Sequence, residues 1–346
     1  MGTTPSTAPG TTDEYRGLGW EFGSLTVQRH AAMLAPVTFV LADGRQAAPM
    51  QIAPWAYEPG AERIAAVERK LRGDWPCLPF GYAAAPEGFP AEWAALMQPA
   101  EAHDLPHGYA SNHGWTWQEA PAGSLALAID IPDPDPIRRM ERTVTPDPSA
   151  PAVDITLTVH ARRPCRLPLG LHPTFRLPAR PGGARIEPGA FDHGLTYLRS
   201  VDDATPVFAA NQRFTDLSAV PGIDGGTVDA AAVPLAAPTE ELLQLNGIDG
   251  SVALAYPDEG FRVRLSWQKE HLPSLLLWMS NRGRKFHPWN GRHVALGIEP
   301  ICSPFGLGPA VAAADNPIAR SGTPTAIAFD PDTPFVTRYR IAAEPL

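Results

Sequence analysis

The stretch WNGRHVALGIEPICSPFGLG, residues 289–308, decides how the chain is read. Taken with a period of two, Val294, Leu296 and Ile298 point to one face, and Ala295, Gly297 and Glu299 to the other. This is the pattern of a strand with one apolar face for a core and one nearly bare face carrying a carboxylate. Two small residues beside a lone acid leave space for a ligand, and Pro300 is expected to end regular pairing just after the acid. Glu299 is therefore the expected floor of a pocket.

A second stretch, CRLPLGLHPTFRLP at 165–178, repeats the design. Leu167, Leu169 and Leu171 share one face, and Pro168, Gly170 and His172 the other. Gly170-Leu171-His172-Pro173 parallels Gly297-Ile298-Glu299-Pro300. Each places one titratable group beyond a glycine, on an expected strand, with a proline behind it. A carboxylate and an imidazole held on rigid strands over one cavity make a general base and a general acid.

The 346 residues suffice for one large β domain or two ordinary ones. With 44% hydrophobic and 19% charged residues, a sizeable core is expected and global disorder is not. The 40 prolines and 30 glycines are scattered between short apolar runs, which favours strands and turns over long helices. A net charge of -9 without a basic run argues against nucleic acid as a partner. Cys77, Cys165 and Cys302 are far apart and odd in number, so neither a disulfide framework nor a zinc site is expected, and all three read as small buried hydrophobes. No apolar run approaches the roughly 20 residues of a membrane span, and the N-terminus lacks the regions of a signal peptide. Gly2 with Ser6 fits the loose myristoylation pattern, but a disordered leader over residues 1–15 of a cytoplasmic protein is the better reading. Residues 16–346 are expected to form a single domain, present as a monomer or homodimer.

Along the chain, most segments alternate as strands do. In PGAERIAAVERKLRG, residues 59–73, Ile64, Val67 and Leu71 recur at helical spacing, so a short surface helix is expected there. DWPCLPFGYAAAPEGFPAEW, residues 74–93, reads as an irregular loop near a site. SVALAYPDEGFRVRLSW, residues 251–267, reads as a hairpin turning at Asp258-Glu259-Gly260.

Each functional reading has a plainer rival. Glu299 could be a buried acid paired with Arg292 or Arg282, and His172 a core histidine satisfied by a carbonyl. A metal site from His103, His107 and His113 matches no helical or ribbon spacing, and no metal or other cofactor is expected. No nucleophile elbow supports a hydrolase triad, and no second acid is placed to support a glycoside hydrolase. Among the tryptophans, Trp289 is the candidate sugar platform. Around it Arg282, Arg284, Lys285 and Arg292 are able to hold a phosphate but read more simply as a solvated loop.

Three stretches in order, PHGYASNHGW at 106–115, GLHPTFRLP at 170–178 and GIEPICSPFGLG at 297–308, resemble the aldose 1-epimerase (galactose mutarotase-like) family, including its hexose-6-phosphate mutarotase branch. The resemblance implies an all-β fold, a β-supersandwich of antiparallel sheets with a few short helices and a sugar site on a concave sheet face. It implies that Glu299 takes the proton of the anomeric hydroxyl and His172 protonates the ring oxygen. His107, Trp289, Asp249 and Arg72 become the candidate substrate-binding residues. The implied partner is a small carbohydrate, with no cofactor. Ser111 stands where members often have an arginine, while Trp115 keeps its place, and Asp249 is one candidate for an acid expected before the last catalytic strand. These departures leave the sugar open, together with a second reading, a non-catalytic carbohydrate-binding or regulatory protein on the same fold.

Overall fold

The computed structural model describes residues 12–60, 63–99, 104–202 and 204–346. Among them, three antiparallel sheets carry most of the chain. The N-terminal sheet orders Tyr15–Trp20, Gly23–Gln28, Leu34–Val40 and Gln46–Ala47 as a meander. Gly2 and most of the expected leader lie outside the described residues, and Tyr15, assigned to that leader, opens the first strand instead.

An eight-stranded sheet builds the site. Its middle runs His193–Thr196, Thr239–Asn246, Ser274–Asn281 and Val294–Cys302, with Leu169–Leu171 and Thr174–Arg176 pairing along the far flank of the last. A nine-stranded sheet backs it, running in its centre through Ser251–Tyr256, Phe261–Trp267, Phe335–Pro345, Ala152–Ala161 and Ile137–Pro146. The expected hairpin forms, with Tyr256 opposite Phe261. No helix among the described residues is long and apolar enough to cross a membrane.

The period-two pattern places the core. Leu296 and Ile298 face the nine-stranded sheet together with Leu275, Leu277 and Met279 of the neighbouring strand and Leu243 and Leu245 beyond it, all fully buried. Glu299 lies opposite Leu276, Gly297 opposite Trp278, and Ala295 opposite Ser280. Alternation therefore puts Leu276, Trp278 and Glu299 on the outer face of the sheet, against a second apolar cluster that includes Trp75, Phe80, Trp289 and Phe305.

Three expectations change. Pairing continues past Pro300 to Cys302: Pro300 lies opposite Leu275 on one side, and on the other the register of Gly170 with Ile301 and Thr174 with Gly297 puts it opposite Leu171, the last residue before the break at His172 and Pro173. His172 sits in that break rather than within a strand. The helix expected over 59–73 shrinks, among its described residues, to 3-10 geometry at Arg63 and a 3-10 turn at Ala66–Glu68. Val67 and Leu71 do turn inward, but Arg72 bridges Ile52 and Gly73 donates to the Gln51 carbonyl, so the chain is drawn into extended pairing before a second turn can form.

A buried charge pair ties the nine-stranded sheet to the segment just before Pro76–Cys77, the edge strand of the eight-stranded sheet. Arg142, on the apolar face of Ile137–Pro146 between Met140 and Val144, pairs with the Asp74 carboxylate, and neither side chain has any exposure. Arg142 also donates to the Asp74 carbonyl at 3.0 Å and the Tyr339 hydroxyl at 2.9 Å, and that hydroxyl donates to Asp74 Oδ2 at 2.6 Å. Removing one member strands a charge without water. Arg142→Met is predicted to lower unfolding stability by about 3–5 kcal/mol in urea titration, whereas Arg180→Met, at an exposed pair with Asp258, should change it by less than about 1 kcal/mol.

Candidate active site

A cavity of about 430 Å3 opens on the outer face of the eight-stranded sheet, a size suited to a small ligand. Its floor is Leu242, Leu276, Trp278 and Glu299, contributed by three neighbouring strands. Its walls are loops: Glu68 and Leu71 on one side, Phe80 to Tyr82 and His107 on another, and Tyr197, Val201, Asp202, Arg284 and Trp289 on the rest. An adjoining cleft of about 460 Å3 shares Gly81 and Tyr82 with it but contains neither a histidine nor Glu299.

Glu299 and His172 meet at the base. His172 Nε2 stands 3.4 Å from Glu299 Oε1, with both side chains nearly inaccessible. Gly297 permits this, since a Cβ there would lie 2.2 Å from Glu299 Oε1. Gly170 plays the matching part on the other strand, where a Cβ would lie 2.2 Å from the Phe80 ring. The imidazole is fixed on every side. Its ring stacks on Trp75 at 4.0 Å, Trp278 meets it edge-on at 5.6 Å, Nδ1 is 3.2 Å from Thr174 Oγ1, and its backbone N–H donates to the Trp75 carbonyl. Neither Arg292 nor Arg282 pairs with Glu299. Arg292 holds Glu58 through two bonds, at 2.6 and 2.7 Å.

Burial sets the protonation of the pair. It pushes the Glu299 carboxyl well above the ordinary carboxylate range and holds His172 well below the ordinary imidazole range, the latter helped by His107 and Arg284. Both groups therefore rest uncharged, with one proton between carboxyl and imidazole. His107 approaches His172 with a ring separation of 5.2 Å and is lowered to about 4, by burial first and by Arg284 second. It takes a left-handed φ of 60° just before the five-residue helix Gly108–Asn112, and its N–H donates to the Gly81 carbonyl at 2.8 Å. Gly108 is needed at that corner, because a Cβ would come within 2.1 Å of the Leu78 carbonyl oxygen.

Of the residues singled out from the sequence, Glu299, His172, His107 and Trp289 come together here. Arg72 does not line the cavity. It is buried on the other side of its strand, donating to the Lys70 carbonyl and the Tyr57 hydroxyl. Asp249 lies at an exposed turn, accepting from Ser251 and from the Ala190 N–H, and is likewise outside the cavity. Of the histidine trio, His103 lies outside the described residues and His113 stacks on Tyr109 away from the site. Ser111 is buried beneath His107, whose carbonyl it holds at 2.8 Å.

Four further groups shape the site. Glu240, on Thr239–Asn246, is inaccessible and accepts from Trp278 Nε1 at 2.6 Å and Ser280 Oγ at 3.2 Å; burial lifts its carboxyl to about 7. Its signal in the sequence was an acid alternating with Leu242 and Gln244 on an apolar strand. Arg284, grouped with the solvated loop, instead lies over the Trp289 ring at 4.4 Å, and its Nε donates to Asp202 at 2.7 Å. Glu68 is half-buried, with its carboxyl raised by desolvation. Tyr197 closes one wall, its phenol raised to about 12 by burial.

No protein-family model matches the sequence, and no curated protein matches it either. Solved structures do. A galactose mutarotase-like protein from Clostridium acetobutylicum superposes with a TM-score of 0.64 at 11% identity, over 96% of this chain and 95% of that one. An aldose epimerase homologue from C. elegans gives 0.62 at 14% identity, over 96% and 99%. A galactose mutarotase related enzyme from Lactobacillus acidophilus gives 0.59 at 12%, over 95% and 97%. These agreements span nearly the whole of each chain, and with the antiparallel sheets described above they show that this chain has the galactose mutarotase-like fold.

Proposed function

We propose that the protein is an aldose 1-epimerase, a mutarotase that interconverts the α and β anomers of an aldose by acid–base ring opening. The observation that carries this reading is the Glu299–His172 pair, 3.4 Å apart on the floor of one cavity. In the forward step the single proton first passes from Glu299 to His172 across their 3.4 Å contact; Glu299 then takes the proton of the anomeric hydroxyl while His172 gives one to the ring oxygen. The C1–O5 bond breaks as the C1–O1 double bond forms. Rotation about C1–C2 presents the other face of the aldehyde, and reclosure returns both protons. The pair therefore begins and ends each turnover holding one proton.

The surroundings suit that cycle. The stacked Trp75 ring offers a π-face to the imidazolium that must exist transiently, and a low-dielectric floor strengthens hydrogen bonds to the developing charges. His107, held neutral, is positioned to hydrogen-bond a sugar oxygen. Trp278 and Trp289 give the C–H faces of a pyranose an apolar wall.

Polarimetry or saturation-transfer NMR of anomer exchange across a panel of aldoses should show acceleration above the spontaneous rate. Glu299→Gln is expected to keep the fold and sugar binding while losing about 100- to 10,000-fold in turnover; a near-normal rate would remove Glu299 from the role of base.

The pH profile follows from the shifted pair. A second proton on the pair adds through His172, whose affinity for it is depressed, and the single proton leaves through Glu299, whose affinity is raised. The rate should fall with acid only well below 6.5, and fall with base only well above 4.5, the two limbs belonging to His172 and Glu299 in that order. A sequence reading with ordinary pKa values assigns them the other way round. The dependence of kcat/KM on pH, compared with that of His172→Gln, checks the assignment. An acid limb that stays in place in the variant would contradict it.

A further inference from the structure

The charges around the cavity are unequal. Arg284 is the only arginine or lysine among the described residues that line it, against the carboxyls of Glu68 and Asp202, with Glu240 directly behind Trp278 and Glu299 adding no charge at rest. Arg284 is also already engaged. Its Nε donates to Asp202 at 2.7 Å and lies 3.4 Å from Glu240 Oε1, while its guanidinium covers the Trp289 and Trp278 rings at 4.4 and 5.5 Å. The other basic residues of that loop look elsewhere, with Lys285 donating to the Arg282 carbonyl and Arg292 to Glu58. His107 and His172 are held uncharged by burial and add no cation.

We propose that this cavity selects its sugar by charge: it takes an aldose bearing no phosphate or carboxylate, and it binds an ammonium-bearing aldose more tightly than the neutral parent. The inference rests on the mutarotase reading for the word aldose, and on the cavity alone for the sign of the preference. Arg284 acts as a clamp that ties the Asp202 loop to the tryptophan wall, not as an anion receptor. To bind a phosphate it would have to leave Asp202, and the dianion would then share the cavity with the Glu68 carboxyl and the released Asp202 carboxylate, both of which line it. A cation meets the opposite situation. Glu68 and Glu240 are desolvated carboxyls, and a nearby ammonium favours their charged forms.

The test compares three probes differing at one carbon, 6-amino-6-deoxyglucose, glucose and glucose 6-phosphate, with the galactose series alongside, at about pH 7. Affinity is read from the fluorescence of Trp75, Trp278 and Trp289, which line the cavity. The 6-phosphate should bind at least about tenfold more weakly than the parent sugar, and the 6-amino sugar about threefold or more tightly. Asp202→Asn, which frees Arg284, should improve the ratio of phosphate to parent affinity by about tenfold. A 6-phosphate that binds wild-type protein as well as the parent does, or a ratio unmoved in the Asp202 variant, overturns the proposal, as does failure of all three to bind. Anomer exchange measured on the same samples reports separately on catalysis. Binding in the predicted order without accelerated exchange supports the charge selection and sinks the mutarotase reading instead.

Discussion

The contact between Arg142 and Asp74 is the constraint on which the site depends. Taking both charges out of water costs several kcal/mol per ion before their attraction returns it, so the pair is a poor source of net stability. What it does is fix a position. Asp74 is held against the nine-stranded sheet by Arg142 and Tyr339, and it also pairs through its backbone with Leu34 of the N-terminal sheet. The next residue, Trp75, inherits that placement. Its carbonyl receives the N–H of His172 and its ring lies flat against the imidazole. Three sheets thus converge on the residue that orients the proposed general acid, and an error in packing any of them would be felt at His172.

Desolvation then sets the chemistry. A glutamate on an exposed face would be ionised and a histidine there partly charged, but beneath this cavity both are driven to their neutral forms. The result is an acid–base pair that needs no net charge in the resting site, and whose single proton can pass between its members over a short distance. Gly297 and Gly170 are the steric conditions for that geometry. Each removes the one side chain that would otherwise fill the gap between carboxyl, imidazole and Phe80. The small residues read as space for a ligand are thus, in part, space for the carboxyl and imidazole themselves.

The pair was legible because its signal is local. Alternation along 294–299 and 167–172 separates core face from site face, and a titratable group on the bare face of a strand is conspicuous. The antiparallel, strand-rich character was legible for the same reason. The groups that were missed depend on neighbours far away in the chain. Glu240 differs from Glu241 only in which face of the strand it occupies, and both are buried: Glu240 with Trp278 and Ser280, Glu241 with Thr239 and Val207. Arg284 looked like one of four loop cations until Asp202, some eighty positions earlier, and two tryptophans were seen to enclose it. Arg72 and Asp249 failed in the converse way. Each has the residue type a sugar site needs, but the bridge to Ile52 turns Arg72 away and a tight turn occupies Asp249. The 59–73 segment shows helical spacing being overruled by pairing with a strand-forming neighbour, since a single turn of helix gains less than the extended contacts replacing it.

The division between floor and walls has a consequence for how such a site can change. Glu299, Trp278 and Leu242 stand on adjacent hydrogen-bonded strands, so their spacing is that of the sheet and cannot be altered by replacing one side chain. The walls come from separate loops tied to one another by a few contacts, such as Arg284 to Asp202 and His107 to Gly81. A substitution in one loop therefore moves the charge or shape presented to a ligand while leaving the proton-transfer distance untouched. The floor that carries Glu299 thus belongs to the sheet, and the charge and shape offered to a ligand belong to the loops.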